Sequence, residues 1–338
     1  MIHFRTPRLS FFTATLILNV CLPGQLFASE PFTLALPVKC ELGATCFVQN
    51  YVDHDPSEKV SDFQCGGRTY NGHDGTDIRL PDLEVQKNGV EVLAAAAGRI
   101  MQVRDGMDDV SIRVAGKSSI AGKECGNGVV MDHEQGWSTQ YCHMAKGSLR
   151  VKPGDQVAVG QAIGMVGLSG DTEFPHVHLT VRHNGAAVDP FAYEAPPNSC
   201  NGGRSIWKAA LLPQTGYRSR ELLNFGFSDV PVTMELIETG EVKRHVVTSS
   251  AGALVAYARA IGLQTRDEQT ITIQAPDKTP FAEYRSPSLE NNKAQFFISA
   301  GRKLKGTRWP AGLYQATYAI TKDGAEVLRK IFQIEISE

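Results

Sequence analysis

The sequence has no large excess of charge of either sign, and the part beyond residue 29 has no long apolar run. Its 338 residues carry 34 Lys and Arg against 36 Asp and Glu, a formal net charge of −2. Nucleic-acid-binding proteins carry a basic field, so we expect no nucleic-acid partner. Beyond residue 29, no stretch approaches the roughly 18 apolar residues of a membrane-spanning helix. The composition, 42% hydrophobic and 21% charged, is that of a globular protein, and the length suggests about two domains.

Residues 1–29 have the layout of a secretory signal peptide. Two arginines precede the apolar run Phe11–Leu22, and small residues that suit cleavage follow at Leu26–Ser29. Lipid attachment at Cys21 is the alternative, but Val20 stands where such signals carry Gly or Ala. We therefore expect an exported protein, periplasmic or secreted, with no membrane span after the signal is removed.

Six cysteines remain beyond the signal segment. An even number in an oxidising compartment favours disulfides over a thiolate metal site or a catalytic cysteine. Six cysteines allow fifteen pairings, and the sequence does not decide among them. We expect Cys40–Cys46, which closes a short loop, Cys125–Cys142, which joins the arms of a predicted hairpin, and Cys65–Cys200, which ties the ends of the first domain.

Short runs of β-forming residues separated by turn residues predict an all-β fold. In the first half, strands are predicted at 90–93, 98–104, 128–132, 138–143, 156–159, 162–166 and 177–182. This spacing is typical of an antiparallel β-sheet, sandwich or barrel. The polar stretches 81–89 and 105–127 interrupt the pattern as candidate rim loops or lids over a site.

A linker rich in Pro, Asn and Gly at 195–203 divides the chain into predicted domains 30–200 and 201–338. Beyond it, strands are predicted at 230–238, 241–247, 270–274, 294–299, 313–321 and 327–336, while 251–261 is either a short helix or a strand. We expect an immunoglobulin-like β-sandwich. It has one histidine, His245, and no cysteine, so nothing in it indicates chemistry.

Three motifs concentrate the residues that could do chemistry. They are 71–77 with His73 and Asp77, 140–144 with His143, and 174–181 with His176 and His178. In a strand, the last two histidines share one face, because side chains alternate. Taken singly, each motif is explained by a surface turn, a half-buried strand histidine or a polar strand face. Together, two His and one Asp would give zinc three ligands and an open position, with two histidines left for proton transfer and oxyanion stabilisation.

The motifs in this order resemble the LytM/lysostaphin-type zinc endopeptidases, which cut peptide bridges in bacterial cell walls. The chain has His-x-x-x-Asp, then a histidine on a strand, then His-x-His, with Val151–Val157 and Gly160–Gly164 also similar to the family. The resemblance covers roughly residues 60–192. It implies an antiparallel β-sheet lining an open zinc groove, and a metalloendopeptidase that hydrolyses peptidoglycan peptides with a zinc-activated water.

The resemblance also implies the role of each residue. His73, Asp77 and His178 would be the ligands of one Zn²⁺ per chain, and His143 and His176 would be catalytic without binding the metal. No His-Glu-x-x-His helix is present in the sequence, so the histidines would replace a glutamate as the general base.

Several alternatives stay open at this point. Some relatives with this fold have lost ligands, so a non-catalytic, zinc-containing wall-binding or hydrolase-activating module is the second hypothesis. The bond cut could be glycyl-glycine or D-Ala–diaminopimelate, and the cysteines favour a Gram-negative periplasm and the second bond. Residues 201–338 could bind the wall, dock a protein partner or occlude the groove.

Overall fold

Antiparallel strands make up most of the regular structure, 40% strand against 8% helix. The computed structural model describes residues 1–3, 31–196 and 199–338, so the expected signal segment, apart from its first three residues, lies outside the described residues. Phe32–Glu338 form one compact unit. Within the described ranges, no helix is long and apolar enough to cross a bilayer. The all-β fold predicted from the sequence is confirmed.

The first part of the chain is built on a large antiparallel sheet. The strands of this part of the chain are β1 (Phe47–Asn50), β2 (Thr76–Arg79), β3 (Glu91–Leu93), β4 (Gly98–Arg104), β5 (Asn127–Asp132), β6 (Trp137–Met144), β7 (Gln156–Val157), β8 (Ala162–Met165), β9 (His176–His183) and β10 (Ala186–Val188). Seven of them follow the order β1-β2-β9-β6-β5-β4-β7, β10 pairs with β9, and β3 and β8 form a separate pair. The central position of β9 follows from its sequence pattern.

Strand β9 shows how that pattern places the histidines. Val177, Leu179 and Val181 alternate along the strand, and all three side chains are 0% exposed in the core. Burying such side chains contributes roughly 1.5–3 kcal/mol each. The opposite face of β9 therefore presents His176 and His178, as the alternation predicts.

Two short helices occupy the stretches expected to be rim loops. Helix α1 (Leu83–Lys87) begins at Asp82, whose side chain accepts a hydrogen bond from the Val85 amide. Helix α2 (Ile112–Ala115) is followed by a 3-10 turn at Lys117–Ile120. Side-chain capping of this kind satisfies amides that the first helical turn leaves without a partner.

The second part of the chain contains two further antiparallel sheets. The elements are β11 (Glu221–Ser228), α3 (Met234–Thr239), β12 (Ala253–Leu263), β13 (Asp267–Gln274), β14 (Pro280–Arg285), β15 (Lys293–Lys303), β16 (Gly312–Lys322) and β17 (Ala325–Ile336), with 3-10 turns at Ala209–Leu211 and Glu241–Arg244. The sheets have the orders β11-β12-β15 and β14-β13-β16-β17. The ambiguous segment 251–261 is a strand, and the immunoglobulin-like assignment stays a prediction.

The strands predicted at 230–238 and 241–247 are wrong. The first segment forms helix α3, because Thr233 caps its start and Gly240 ends it in the left-handed conformation. Ile237, fully buried, anchors the helix to the sheet. The second segment is a 3-10 turn followed by coil. The apolar residues here bury one side of a short helix rather than one face of a strand.

The structure pairs the cysteines as Cys40–Cys46, Cys65–Cys200 and Cys125–Cys142, which are the pairs named from the sequence. The chain stays with the first core beyond Cys200, since Ile206 and Trp207 pack into it. The domain boundary near residue 200 remains a prediction.

Candidate metal centre

Strand pairing brings the three expected ligands together. In the antiparallel β2–β9 pair, Asp77 lies directly opposite His178, and His73 precedes β2 in the turn that Gly72 opens with a φ of +75°. His73 Nε2 is 3.2 Å from Asp77 Oδ1, and His178 Nδ1 is 2.9 Å from the same oxygen. The two imidazole nitrogens are 3.1 Å apart. Among the described residues, this is the group of His, Cys, Asp and Glu side chains that could hold a metal ion.

The donor set fits zinc. Two imidazole nitrogens and one carboxylate oxygen are ligands that Zn²⁺ takes at about 2.0–2.2 Å, which places the ligand atoms of a tetrahedral site about 3.3 Å apart. The three separations given above are close to that value. A set of three protein ligands leaves one position for water or substrate, which distinguishes catalytic from structural zinc sites.

Hydrogen bonds to the far side of two ligands fix their orientation. His73 donates Nδ1–H to the Tyr51 carbonyl oxygen at 2.6 Å, which leaves Nε2 with its lone pair toward the cluster. Asn50 donates from Nδ2 to Asp77 Oδ2 at 2.8 Å, so Oδ1 faces the histidines. Partners of this kind set the tautomer and direction of a metal ligand.

His178 is held in the opposite sense, with Nδ1 toward the cluster. Its Nε2 lies 2.9 Å from Thr180 Oγ1 and 3.2 Å from Asp74 Oδ1. Gly75 makes room for this ring, because a Cβ at that position would come within 2.5 Å of His178 Nε2. The first glycine of the 71–77 motif thus shapes the turn, and the second admits the imidazole.

The carboxylates dominate the electrostatics of the cluster. Burial acts to raise the pKa of Asp77, but His73 and His176 hold it well below its usual range. Burial acts to lower the pKa of His178, but hydrogen bonds to Asp74 and Asp77 raise it to about 9. The cluster therefore has an ionised carboxylate at its centre, as a site for a divalent cation requires.

The two remaining histidines line the same site. His143 donates Nδ1–H to the Ser169 carbonyl oxygen at 2.7 Å, and His176 Nδ1 lies 3.0 Å from the Phe174 carbonyl oxygen. Their ring centroids are 4.6 Å apart, and His176 Nε2 is 3.5 Å from the Asp77 carboxylate. Each ring therefore keeps Nε2 for the site.

The backbone at His143 is unusual. This residue has a φ of +62°, a left-handed conformation that non-glycine residues seldom adopt. Its amide donates to the Cys125 carbonyl oxygen at 2.8 Å, next to the Cys125–Cys142 disulfide. Burial, with His176 and His178 nearby, holds the pKa of His143 well below its ordinary value. The imidazole is thus neutral, and because Nδ1 carries the proton, Nε2 is unprotonated.

An open groove of about 320 Å³ lies beside the cluster, and His143 and His178 are among the residues that line it. All the residues that line it fall between Tyr70 and Arg182, and Glu124 and Cys125 come from the 105–127 stretch. That stretch therefore forms a groove wall, which agrees with its expected place at the rim. Among the described residues, none beyond Arg182 lines this groove.

The match to a known family covers this region. Residues 71–190 match the family model described as Peptidase family M23. The chain contains a peptidase family M23 domain. All five candidate residues lie inside the matched range, and Asn50 and Tyr51 lie before it.

Individual proteins are similar to part of this chain. Cell division protein DipM of Caulobacter vibrioides is 31% identical over 140 residues, which are 39% of this chain and 19% of DipM. Peptidoglycan DD-endopeptidase ShyB of Vibrio cholerae is 29% identical over 124 residues, 37% of this chain and 24% of ShyB. A zinc-containing peptidase from Vibrio cholerae aligns in its crystal structure with a TM-score of 0.29 at 23% identity, over 45% of this chain and 41% of that one. The match spans about a quarter or less of the length of these curated relatives.

The sequence motifs predicted the five central side chains but missed those around them. Asn50, Tyr51 and Ser169 gave no local signal in the sequence. Tyr51 and Ser169 act through backbone carbonyl oxygens, which any residue type supplies. Thr180 could have been found, since it shares the face of His178 on β9. Asp74 lies inside the first motif and could also have been found.

Proposed function

We propose that this protein is a zinc-dependent endopeptidase that hydrolyses peptide cross-links of bacterial peptidoglycan. The observation that carries the proposal is the convergence of His73, Asp77 and His178 on one point of an open groove, with His143 and His176 beside them, inside an M23 domain. His73, Asp77 and His178 would hold one zinc ion. When bound there, zinc supplies Lewis-acid polarisation of a carbonyl and a lowered pKa for water.

The spare histidines carry the proton chemistry in this proposal. His143 accepts a proton at Nε2 from the water that attacks the scissile carbonyl carbon, and its Nδ1–H bond to Ser169 keeps the ring in place. As the carbon–nitrogen bond breaks, the same proton passes to the departing amine. His176, whose Nε2 lies close to the Asp77 carboxylate, would donate a hydrogen bond from Nε2–H to the developing negative charge on the substrate oxygen.

The choice of peptidoglycan as the substrate rests on the named relatives and on the expected compartment. ShyA and ShyB are named peptidoglycan DD-endopeptidases, so a bond between two D-centres of a cross-link is the first candidate. The three disulfides suit an oxidising compartment, and the expected signal segment agrees with export to the periplasm. The open groove could admit an extended peptide.

The alternative is a non-catalytic, zinc-containing module that binds the wall or activates a hydrolase. A purely structural zinc needs no extra histidines with free Nε2 atoms, so His143 and His176 favour the enzyme.

Incubation of the purified protein with sacculi tests the proposal. The protein is produced in an oxidising compartment, and released muropeptides are identified by mass spectrometry. We expect cleaved cross-links, lost with a chelator and in His143→Ala, but retained in His245→Ala, which removes a histidine 33% exposed in the second part of the chain. Intact sacculi with zinc bound at one per chain would refute the enzyme and favour the module.

A further inference from the structure

The second part of the chain contacts the two strands that carry Asp77 and its partner Asn50. Strand β1 pairs with β2, and Asn50 lies opposite Asp77 in that pair. The pairing is irregular between Val48 and Asn50, which is where Gln49 lies. A bulge of this kind redirects a side chain, so the position of Asn50 depends on how Gln49 is held.

Gln49 is held from the second part of the chain. It is 3% exposed and donates from Nε2 to the Ala294 carbonyl oxygen at 3.1 Å. Its Oε1 accepts a hydrogen bond from Arg79 Nη1 at 2.7 Å. Gln49, which contacts Ala294, is therefore the chain neighbour of Asn50, which holds Asp77.

Arg79 provides a second connection to the site. It is 1% exposed and lies two residues after Asp77 on β2, so both side chains share a face. Its guanidinium lies 4.2 Å from the centre of the Phe174 ring. The Phe174 carbonyl oxygen is the one that orients His176.

The buried charge of Arg79 is met by uncharged oxygen atoms, one of which comes from the second part of the chain. Among the described residues no carboxylate lies within 4.0 Å of this guanidinium. Nη1 instead donates to Gln49 Oε1 and, at 3.3 Å, to Gln295 Oε1 on β15. Gln295 is fixed in turn by its Nε2–H bond to Glu238 at 2.9 Å. A buried charge without such partners is costly, so losing Gln295 would move Arg79.

We propose that the second part of the chain from β11 onward, residues 221–338, is a fixed support of the metal centre, in which Gln295 and Ala294 position Asp77 and His176 through Gln49 and Arg79. Gln49 and Arg79 are positioning residues that do not touch the metal or the substrate. This inference rests on the proposed zinc site but not on peptidase activity. It assigns the second part of the chain a role other than binding the wall or covering the groove.

Zinc affinity of the full chain, measured by competition with a chromogenic chelator, tests the proposal. Gln295→Met keeps the volume of the side chain and removes the acceptor for Arg79. We expect affinity about tenfold weaker, the lower end of the range for outer partners of a metal site. Gln333→Met, a matched change on exposed strand β17, should have no effect.

A second readout separates positioning from general stability. In the metal-free protein, hydrogen exchange of the β1 and β2 amides should quicken in Gln295→Met, while β4 and β5 stay unchanged. If Gln295→Met lowers the free energy of unfolding but leaves the zinc affinity and the β1–β2 exchange unchanged, the proposal is overturned. Should Gln295→Met fail to fold, Gln295→Asn, which withdraws the acceptor by one methylene, replaces it. A wild-type protein that binds zinc but cuts no sacculus would refute the enzyme and leave this proposal standing, whereas one that binds no zinc would overturn both.

Discussion

Replacement of Gly75 by alanine is the sharpest test of the metal centre. Gly75 has a backbone conformation open to any residue, so alanine introduces no backbone strain there. Its new Cβ, however, would lie 2.5 Å from His178 Nε2, 2.6 Å from His178 Cε1 and 2.9 Å from the Leu179 carbonyl oxygen. Ordinary contacts of a Cβ lie at 3.4–4 Å, so the imidazole or the turn must move by about 1 Å. Either movement separates His178 Nδ1 from Asp77 and His73.

The size of the effect follows from the loss of a ligand position. Loss of an outer partner of a metal ligand costs about 10–100-fold in affinity, so displacing the ligand itself should weaken zinc binding by about 100-fold or more. At zinc one hundred times above the wild-type dissociation constant, binding stabilises the wild type by about 2.7 kcal/mol, whereas a 100-fold weaker site gains about 0.4 kcal/mol. Urea unfolding with and without zinc measures this difference directly.

The control is Gly216→Ala. Gly216 also has an ordinary backbone conformation, and a Cβ there would meet nothing within 4 Å. We expect it to bind zinc as the wild type does. Wild-type zinc affinity in Gly75→Ala would show that His178 is not a ligand in the orientation described here.

Three further changes test other parts of the structure. Asn50→Ala should weaken zinc binding about tenfold because the ligand carboxylate loses its orienting partner, and unchanged chelator competition would contradict that. Replacing Cys125 and Cys142 by serine opens a loop with a sequence separation of 17 and should cost about 3 kcal/mol in urea unfolding; equal stability would refute a structural role for this disulfide. Burial lowers the pKa of His54, but its hydrogen bond to Asp189 raises it above the ordinary value overall. The stability from this pair is thus full below the unfolded pKa of about 6.5 and lost as pH rises through the folded pKa. His54→Gln should remove that pH dependence from metal-free protein, and the same slope in wild type and variant would count against the pair.

The sequence motifs predicted which side chains come together better than they predicted the residues around them, because the two depend on different ranges of contact. Strand β4 begins and ends where its β-run predicts, at Gly98 and Arg104, and β9 differs from its prediction by one residue at each end. In β9, apolar residues alternate with polar ones, which is a local property of the sequence. Strand β1 is only four residues long and has no such alternation, since Phe47 and Val48 are adjacent and Gln49 and Asn50 follow them.

The wrong strand prediction at 230–238 has a similar cause. The segment from Val230 to Glu238 is rich in β-forming residues, but the cap at Thr233 and the left-handed Gly240 decide for a helix. These two signals were visible in the sequence and outweigh propensity, because they satisfy the ends of the helix directly. The contact between Arg79 and Gln295, by contrast, joins residues 216 positions apart, and no local pattern predicts it.

The way the imidazoles are oriented explains why motifs reveal ligands but not their arrangement. His73, His143 and His176 each direct Nδ1 toward a backbone carbonyl oxygen, and these oxygens come from two loops, the one after β1 and the one between β8 and β9. Any residue type can supply a carbonyl, so the sequence carries no mark of these partners. The direction of Nε2 is therefore a property of the fold rather than of neighbouring side chains. It follows that changes which shift those loops should alter the site even where every motif residue is kept, and the proposed support from residues 221–338 acts on the strands next to them.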